Sequence, residues 1–234
     1  MSALDVAVVD DHLLIAETLH AALYGRGISA AVVVPDQRDE LLAQLVERRP
    51  RLVLLDLDLG RFGSSVGLIA PLTAAGISVL VMTGITDRLR IAEALEHGAI
   101  GYQPKADGFD ALLDRTVLAL ESRRVLDPEG RAVLLSELVA ARSRQRRVME
   151  RFERLTERED ETLRALCAGR SVRDIADDWV VSEATVRTHV RGILTKLGEP
   201  SQLAAVVAAS TSGWSTSQRS ERGAFRHALV GSFI

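Results

Sequence analysis

One cysteine, Cys167, occurs in 234 residues, so no intrachain disulfide can form, and such usage suits a reducing cytoplasm. Its neighbours Leu163 and Leu166 share a helical apolar pattern, so the thiol is expected to be a buried packing group. Lysine is scarce as well: of 29 basic residues only Lys105 and Lys196 are lysine, and the rest are arginine. Against that background, a lysine at a special position hints that a compact ammonium is needed there. No run approaches the ~20 apolar residues that span a bilayer. The start, Met1-Ser2-Ala3-Leu4-Asp5, has neither a basic segment nor a long apolar core, so no secretory signal is expected.

What is present suits a globular protein, with 47% apolar residues and room for two modest domains. The net charge of −3 conceals an asymmetry. Residues 1–120 hold 10 Lys and Arg against 16 Asp and Glu, a net of −6, and residues 121–234 hold 19 against 16, a net of +3. Halves of opposite sign argue for different partners. An excess of +3 is small, so any nucleic-acid binding must rest on where the charge is placed.

The first 120 residues alternate short β-branched runs with amphipathic stretches. Val6–Val9, Ala30–Val34, Leu52–Leu57, Val79–Met82 and Ile100–Tyr102 read as strands, nearly all apolar and therefore buried on both faces. Leu13–Tyr24, Glu40–Arg48, Val66–Ala75, Arg88–Glu96 and Phe109–Glu121 read as helices, with Gly25, Gly27, Gly76 and Gly98 at their ends as expected left-handed positions. Five such repeats predict a doubly wound, five-stranded parallel sheet, whose ligands sit outside the carboxyl ends of the strands. A connector over 122–154 follows, interrupted by Pro128 and helical from about Arg131 to Leu155. Leu134, Leu138, Ala141, Gln145, Val148, Phe152 and Leu155 recur there at a 4-3 spacing, which fits either a helix packed on one of the domains or a dimerising seam.

Asp10 and Asp11 follow the first strand, and Asp56 ends the third. With those strands adjacent, three carboxylates converge at one edge of the sheet and need a cation among them. Hard oxygen ligands with room for water suit Mg²⁺. Thr83 ends the fourth strand with a hydroxyl, and Lys105 follows the fifth with an ammonium. A carboxylate nucleophile, a metal, a hydroxyl and an ammonium make a phosphoryl-transfer pocket, with Asp56 attacking phosphorus.

The segments VVDDH (Val8–His12), LLDLDL (Leu54–Leu59), MTG (Met82–Gly84) and GYQPK (Gly101–Lys105) resemble the receiver domain of two-component response regulators over residues 4–120. The resemblance implies a flavodoxin-like fold, with Asp56 as acceptor of phosphate from a histidine kinase. It also implies Mg²⁺ on Asp10, Asp11 and Asp56 with help from the Asp58 backbone carbonyl, and a switch pair made by Thr83 and Tyr102. Gly60, where many receivers have Pro, and Gly84, where Ala is usual, are expected to loosen the loops around the phosphate.

Thr156–Gly198 reads as three short helices. Thr156 with Glu159 and Ser171 with Asp174 form capping boxes, Ser182 caps the third helix and Gly198 ends it, and Ser201–Ala209 offers a fourth. On Ser182–Leu197, the side chains of Val186, Val190, Ile193, Leu194 and Leu197 fall within ~100° of arc. Ala184, Thr188, Arg191 and Thr195 lie opposite, flanked by Arg187 and Lys196. Such a face fits a major groove, where Arg pairs with guanine edges and Thr meets a thymine methyl, with Thr185 or Lys196 on phosphates. LTERE (Leu155–Glu159), SVRDIAD (Ser171–Asp177) and VSEATVRTHVRGILTKLG (Val181–Gly198) resemble the LuxR-type helix-turn-helix, an all-α four-helix domain, over about Leu155–Ser210. With the receiver, the whole is similar to the NarL/FixJ subfamily. By position, the resemblance puts Arg187, Thr188 and Arg191 at base edges and Lys196 nearer the backbone. Ala184 replaces a Lys found in many members, and His189 is expected to pack or cap.

The expected organisation is therefore a receiver over 1–121, a helical linker over 122–154, a reader over 155–210 and an unassigned tail over 211–234. The expected function is a transcription regulator, not an enzyme, phosphorylated on Asp56 by a cognate histidine kinase. Its partner would be double-stranded promoter DNA, bound as a homodimer at inverted half-sites in the cytoplasm, with no membrane involvement. Two alternatives stand beside it. A receiver-like regulator controlled by a ligand or partner without phosphorylation keeps the reader. A phosphatase is suggested by Asp56-Leu57-Asp58, but the motif lies on the third strand and no substrate cap is inserted.

Overall fold

The computed structural model describes residues 4–34, 38–84, 87–122 and 125–214, which form two compact units, Met1–Ala140 and Ala141–Ile234. The apolar end of the tail (Phe225, Leu229, Val230, Phe233, Ile234) lies outside the described residues.

In the first unit, β1 (Val6–Val9), β2 (Ala30–Val32), β3 (Leu52–Asp56), β4 (Ser78–Thr83) and β5 (Gly101–Pro104) form one parallel sheet in the order β2-β1-β3-β4-β5. The period of two along each strand feeds two cores. Ala7, Val9, Val53, Leu55, Val79 and Val81 face α2 (Arg38–Arg48), α3 (Val66–Ala74) and α4 (Arg88–Glu96). Val6, Val8, Leu52, Leu54, Leu80 and Met82 face α1 (Leu13–Gly25) and α5 (Phe109–Ser122). Burial on both sides is why these strands read as unbroken apolar runs. Gly27, Gly76 and Gly98 take positive φ as expected, but Gly25 does not and is the last residue of α1.

The connector departs from expectation at its start. Pro128 does not interrupt a helix; it is the first residue of α6 (Pro128–Glu153), where its missing N–H costs nothing. Up to Ala140, α6 is part of the first unit. Leu134 and Leu138 are buried in the core that also holds α4 residues, and Arg131 donates to the carbonyls of Leu95 (2.6 Å) and Ala99 (2.9 Å) at the end of α4. Arg88 makes a bidentate pair with Glu137, both bonds 2.8 Å, although at exposed positions such a pair contributes little stability. From Ala141 onward α6 serves the second unit, where Phe152 is buried. The 4-3 spacing thus reflects two intrachain cores, and Leu138 and Phe152 are core residues rather than seam positions.

The second unit packs α7 (Glu157–Cys167), α8 (Val172–Trp179), α9 (Glu183–Leu197) and α10 (Gln202–Thr211) around Leu163, Ile193, Leu197, Ala205 and Ala209, with Leu166, Ile175 and Val186 in a second cluster. Both capping boxes form, Ser182 and Ser201 cap α9 and α10, and Gly198 ends α9 in the left-handed region. Cys167, expected to be buried, is only half-buried at the edge of this core. Trp214, three residues past α10, closes the unit: it is buried, stacks on Phe152 with centroids 5.2 Å apart, and carries the Arg164 guanidinium 4.3 Å above its ring.

One ion pair fixes α9 to α7. Lys196 Nζ donates to Glu159 Oε2 at 2.5 Å, and the same carboxylate accepts from the Thr156 amide (2.7 Å) and hydroxyl (3.0 Å). A Cβ at position 192 would run into the Glu159 carboxylate, so Gly192 is what lets the acid lie against α9. Burial pushes the Glu159 carboxyl up, but the bonds from Lys196 and Thr156 outweigh it and hold the group below the usual carboxylate range.

Three outcomes follow for thermal or denaturant unfolding. Trp214→Ala removes a buried stacked ring and is expected to lower the stability of the second unit by about 3 kcal/mol or more. Val180 ends α8 at φ 54 with its side chain 91% exposed; Val180→Gly relieves a left-handed β-branched residue and is expected to raise stability by about 1 kcal/mol. Because the folded-state Glu159 carboxyl is depressed, its stabilisation is present above its ordinary value of about 4.3 and is lost as pH falls further. Glu159→Gln should accordingly flatten the acid limb of the unit's pH–stability curve while lowering stability at neutral pH.

Candidate functional site

The strand order brings β1 between β2 and β3, so Asp10, just past β1, and Asp56, the last residue of β3, meet at the carboxyl edge of the sheet. Both are almost fully buried. Lys105, in a 3₁₀ turn directly after β5, reaches across from the far side: its Nζ donates to Asp10 Oδ2 at 2.6 Å and to Asp56 Oδ2 at 2.7 Å. Burial pushes the Asp56 carboxyl above its ordinary value, and the Lys105 ammonium offsets only part of that. On the lysine, burial works against the charge, but bonds to the two acids win and its pKa is raised. The ammonium therefore stays charged and neutralises part of the acid cluster.

Asp11, partly exposed, completes the acidic group. One oxygen on each of Asp10, Asp11 and Asp56 and a ring nitrogen of His12 lie within 4.8 Å of one another, a donor set with the spacing for a divalent ion. Asp11, His12 and Asp56 line an open cavity of about 470 Å³ together with Ile15, Asp58, Gly60, Gly84 and Lys105. Thr83 is buried at the end of β4. Tyr102 is half-buried on β5 in register with Val81, two residues before Thr83, and packs against the core that contains Leu134 and Leu138. Asp10, Asp11, Asp56, Asp58, Thr83 and Lys105 thus lie at or beside this edge, and Tyr102 lies two residues inward on β5.

Gly60 sits in a tight turn beside Asp11. It adopts φ 57, which proline with its fixed negative φ cannot reach, and a Cβ there would strike the Asp11 carboxylate. Its amide donates to Asp58 Oδ1 at 3.2 Å, and Leu59 and Gly63 close the turn with a 3.0 Å bond. Glycine here permits a tight turn under Asp11.

Several contributors carried no expectation from sequence. Ser65 Oγ donates to the Asp56 carbonyl at 2.5 Å, and Arg90 Nη2 to the Leu57 carbonyl at 2.9 Å. His12 places its amide 2.9 Å from Asp10 Oδ1 and its ring nitrogen 2.9 Å from Asp11 Oδ1. Buried Gln103 donates to Asp107 (2.7 Å) and accepts from Arg115 (3.0 Å), which reaches the Val125 carbonyl (2.5 Å), so the turn bearing Lys105 is tied to the start of the connector. A polar Gln inside the otherwise strand-like GYQPK was the visible signal for this network.

On α9, Val186, Ile193 and Leu197 are buried, and Ala184, Thr188, Arg191 and Thr195 face solvent, as the periodicity requires. Arg187 pairs with Glu183 at 3.0 Å one turn back, and Thr185 shares a 2.9 Å bond with the cap Ser182. Thr188 bonds the Ala184 carbonyl. Lys196 is turned inward to Glu159, away from the exposed face of Thr188 and Arg191. His189 meets the Trp179 ring edge-on at 6.5 Å, a packing role.

The chain matches the response regulator receiver domain family over residues 6–116 and the luxR family of bacterial regulatory proteins over residues 153–209. It is 29% identical to the transcriptional regulatory protein LnrK of Bacillus subtilis over 199 residues, covering 82% of this chain and 90% of that one. It is 28% identical to the response regulator protein VraR of Staphylococcus aureus over 205 residues, covering 86% and 94%. Among solved structures, the response regulator ChrA of a heme-sensing two-component system is 29% identical over 90% of this chain and 98% of that one, at a TM-score of 0.42. A receiver with its acid edge, followed by a capped helix-turn-helix, makes this chain a member of the two-component response regulators that carry a LuxR-family DNA-binding domain.

Proposed function

We propose that a histidine kinase phosphorylates this regulator on Asp56, and that phosphorylation controls its dimerisation and promoter binding. The observation that carries the reading is the buried Asp10–Lys105–Asp56 bridge at the edge of the sheet. In the transfer, a carboxylate oxygen of Asp56 bonds to phosphorus as the N–P bond of the kinase's phosphohistidine breaks, and the released imidazole takes a proton from solvent. Lys105 remains protonated and holds a phosphoryl oxygen. Asp10, Asp11 and Asp56, with the Asp58 carbonyl, offer hard oxygens that suit Mg²⁺, which when bound neutralises charge on the transferring group. Thr83 then moves toward the phosphoryl group and Tyr102 turns inward, shifting the face on which the first half of α6 packs.

Arg187, Thr188 and Arg191 read base edges, and Thr185 holds a phosphate. Lys196 acts on the backbone only if it leaves Glu159. Leu203 and Val207, one turn apart on α10 and 73% and 51% exposed, support a homodimer that reads inverted half-sites. In functional terms the receiver spans 1–121 and the reader 155–210, joined by the 122–154 connector. No helix among the described residues is long and apolar enough to cross a membrane, and a free thiol suits the cytoplasm.

Intact mass after incubation with acetyl phosphate and Mg²⁺ tests the reading. The wild type is expected to gain one phosphoryl group and Asp56→Asn none. Gain by both proteins would mean another acceptor, and gain by neither would favour control by a partner or ligand alone.

A further inference from the structure

The reader is acidic, although it belongs to a family that binds DNA. Residues 155–214 hold seven Lys and Arg against nine Asp and Glu, a net of −2. One of the seven, Lys196, is neutralised inside the domain by Glu159, and Arg187 is paired with Glu183. Binding a duplex requires cations that displace its condensed counterions, and that term supplies essentially all of sequence-independent affinity. The helix-turn-helix has little charge to spare for it.

The missing charge stands immediately upstream. Residues 141–154, the second half of α6, hold six arginines against Glu150 and Glu153, a net of +4. Four of them, Arg144, Arg147, Arg151 and Arg154, are spaced 3-4-3. At ~100° per residue they fall within about 80° of arc, on the side of the helix away from Phe152, Gln145 and Met149. All four are exposed, and among the described residues Arg144, Arg147 and Arg154 are in no ion pair. The opposite side of the helix is anchored to the reader: Phe152 and Met149 join its core, and Gln145 donates to the Ser212 carbonyl at 2.6 Å. Arg151 donates to the Leu197 carbonyl at 3.3 Å, so the stripe runs past the last turn of α9.

We propose that this arginine stripe is a second DNA-contacting surface, which grips the phosphate backbone flanking the groove entered by α9. The inference rests on the reading of α9 as a DNA-reading helix. At ~1.5 Å per residue the stripe is about 15 Å long, enough for more than one of its guanidinium groups to face phosphates of one strand. Guanidinium groups suit phosphate oxygens through paired N–H donors. The stripe carries no base specificity; it supplies affinity and salt dependence, and α9 supplies discrimination.

The test uses the full chain, phosphorylated with acetyl phosphate, and a short synthetic duplex of arbitrary sequence, followed by fluorescence anisotropy across a salt series. Arg144→Gln with Arg147→Gln should weaken binding about tenfold or more near 0.1 M salt and reduce the slope of log K against log salt by about 1.8, at ~0.9 per lost contact. Arg144→Lys with Arg147→Lys should retain the slope. An unchanged thermal midpoint is expected for both, because neither side chain is buried. An unchanged slope in the glutamine variant would overturn the proposal. Tighter binding would overturn it too, and would indicate that the stripe engages the acidic residues 1–120. A wild type that binds no duplex at low salt would remove the reading of α9 along with the stripe.

Discussion

Two carboxylates buried at one edge of a sheet require a cation, and the ammonium of Lys105 answers that requirement directly by touching Asp10 and Asp56 at once. The geometry of the first unit follows from it. Asp10 and Asp56 can share one ammonium only if β1 and β3 are neighbours, and Lys105 can reach them only from a turn at the same end of β5. The parallel order with its carboxyl ends aligned is thus the scaffold the charges need. Burial keeps Asp56 above its ordinary pKa even with the lysine present.

The same logic organises the second unit on a smaller scale. Glu159 would be an expensive acid beneath α9 were it not bonded by Lys196 and by both groups of Thr156. One carboxylate thereby caps α7 and pins the last turn of α9. The consequence is a division of labour on a single helix: its last basic residue secures the helix to the scaffold, and Arg191 and Thr188 remain on the exposed face. The only two lysines of the chain both serve such internal bridges, in which a compact ammonium meets a carboxylate at short range.

The fold was legible because its strands are buried on both faces and its helix starts carry explicit caps, signals that depend on nearest neighbours. The acid edge was legible because Asp10, Asp56, Thr83 and Lys105 each follow or end a strand. What sequence could not fix was the partner of each polar group. Nothing near Lys196 announces Glu159, 37 positions away, and Gln103, just past the expected strand Ile100–Tyr102, names neither Asp107 nor Arg115 as its partner. The heptad spacing in α6 is the same whether its apolar side chains meet another chain or two cores of their own. Trp214 was lost in a stretch of Ser, Gly and Arg, although a lone aromatic there was a possible anchor. The sequence likewise does not show that a side chain at position 60 would meet the Asp11 carboxylate.

The division of α6 between two cores bears on how regulators of this kind can be assembled from parts. Its first half is tied to α4 by Arg131 and buried through Leu134 and Leu138, and its second half ends in Phe152 against Trp214. A junction drawn at either end of the connector would tear residues out of a core. The clean seam lies inside the helix, between Ala140 and Ala141, where one unit's contacts stop and the other's begin. Receivers and readers of this chain keep their cores intact in an exchange only if each brings its own half of the helix.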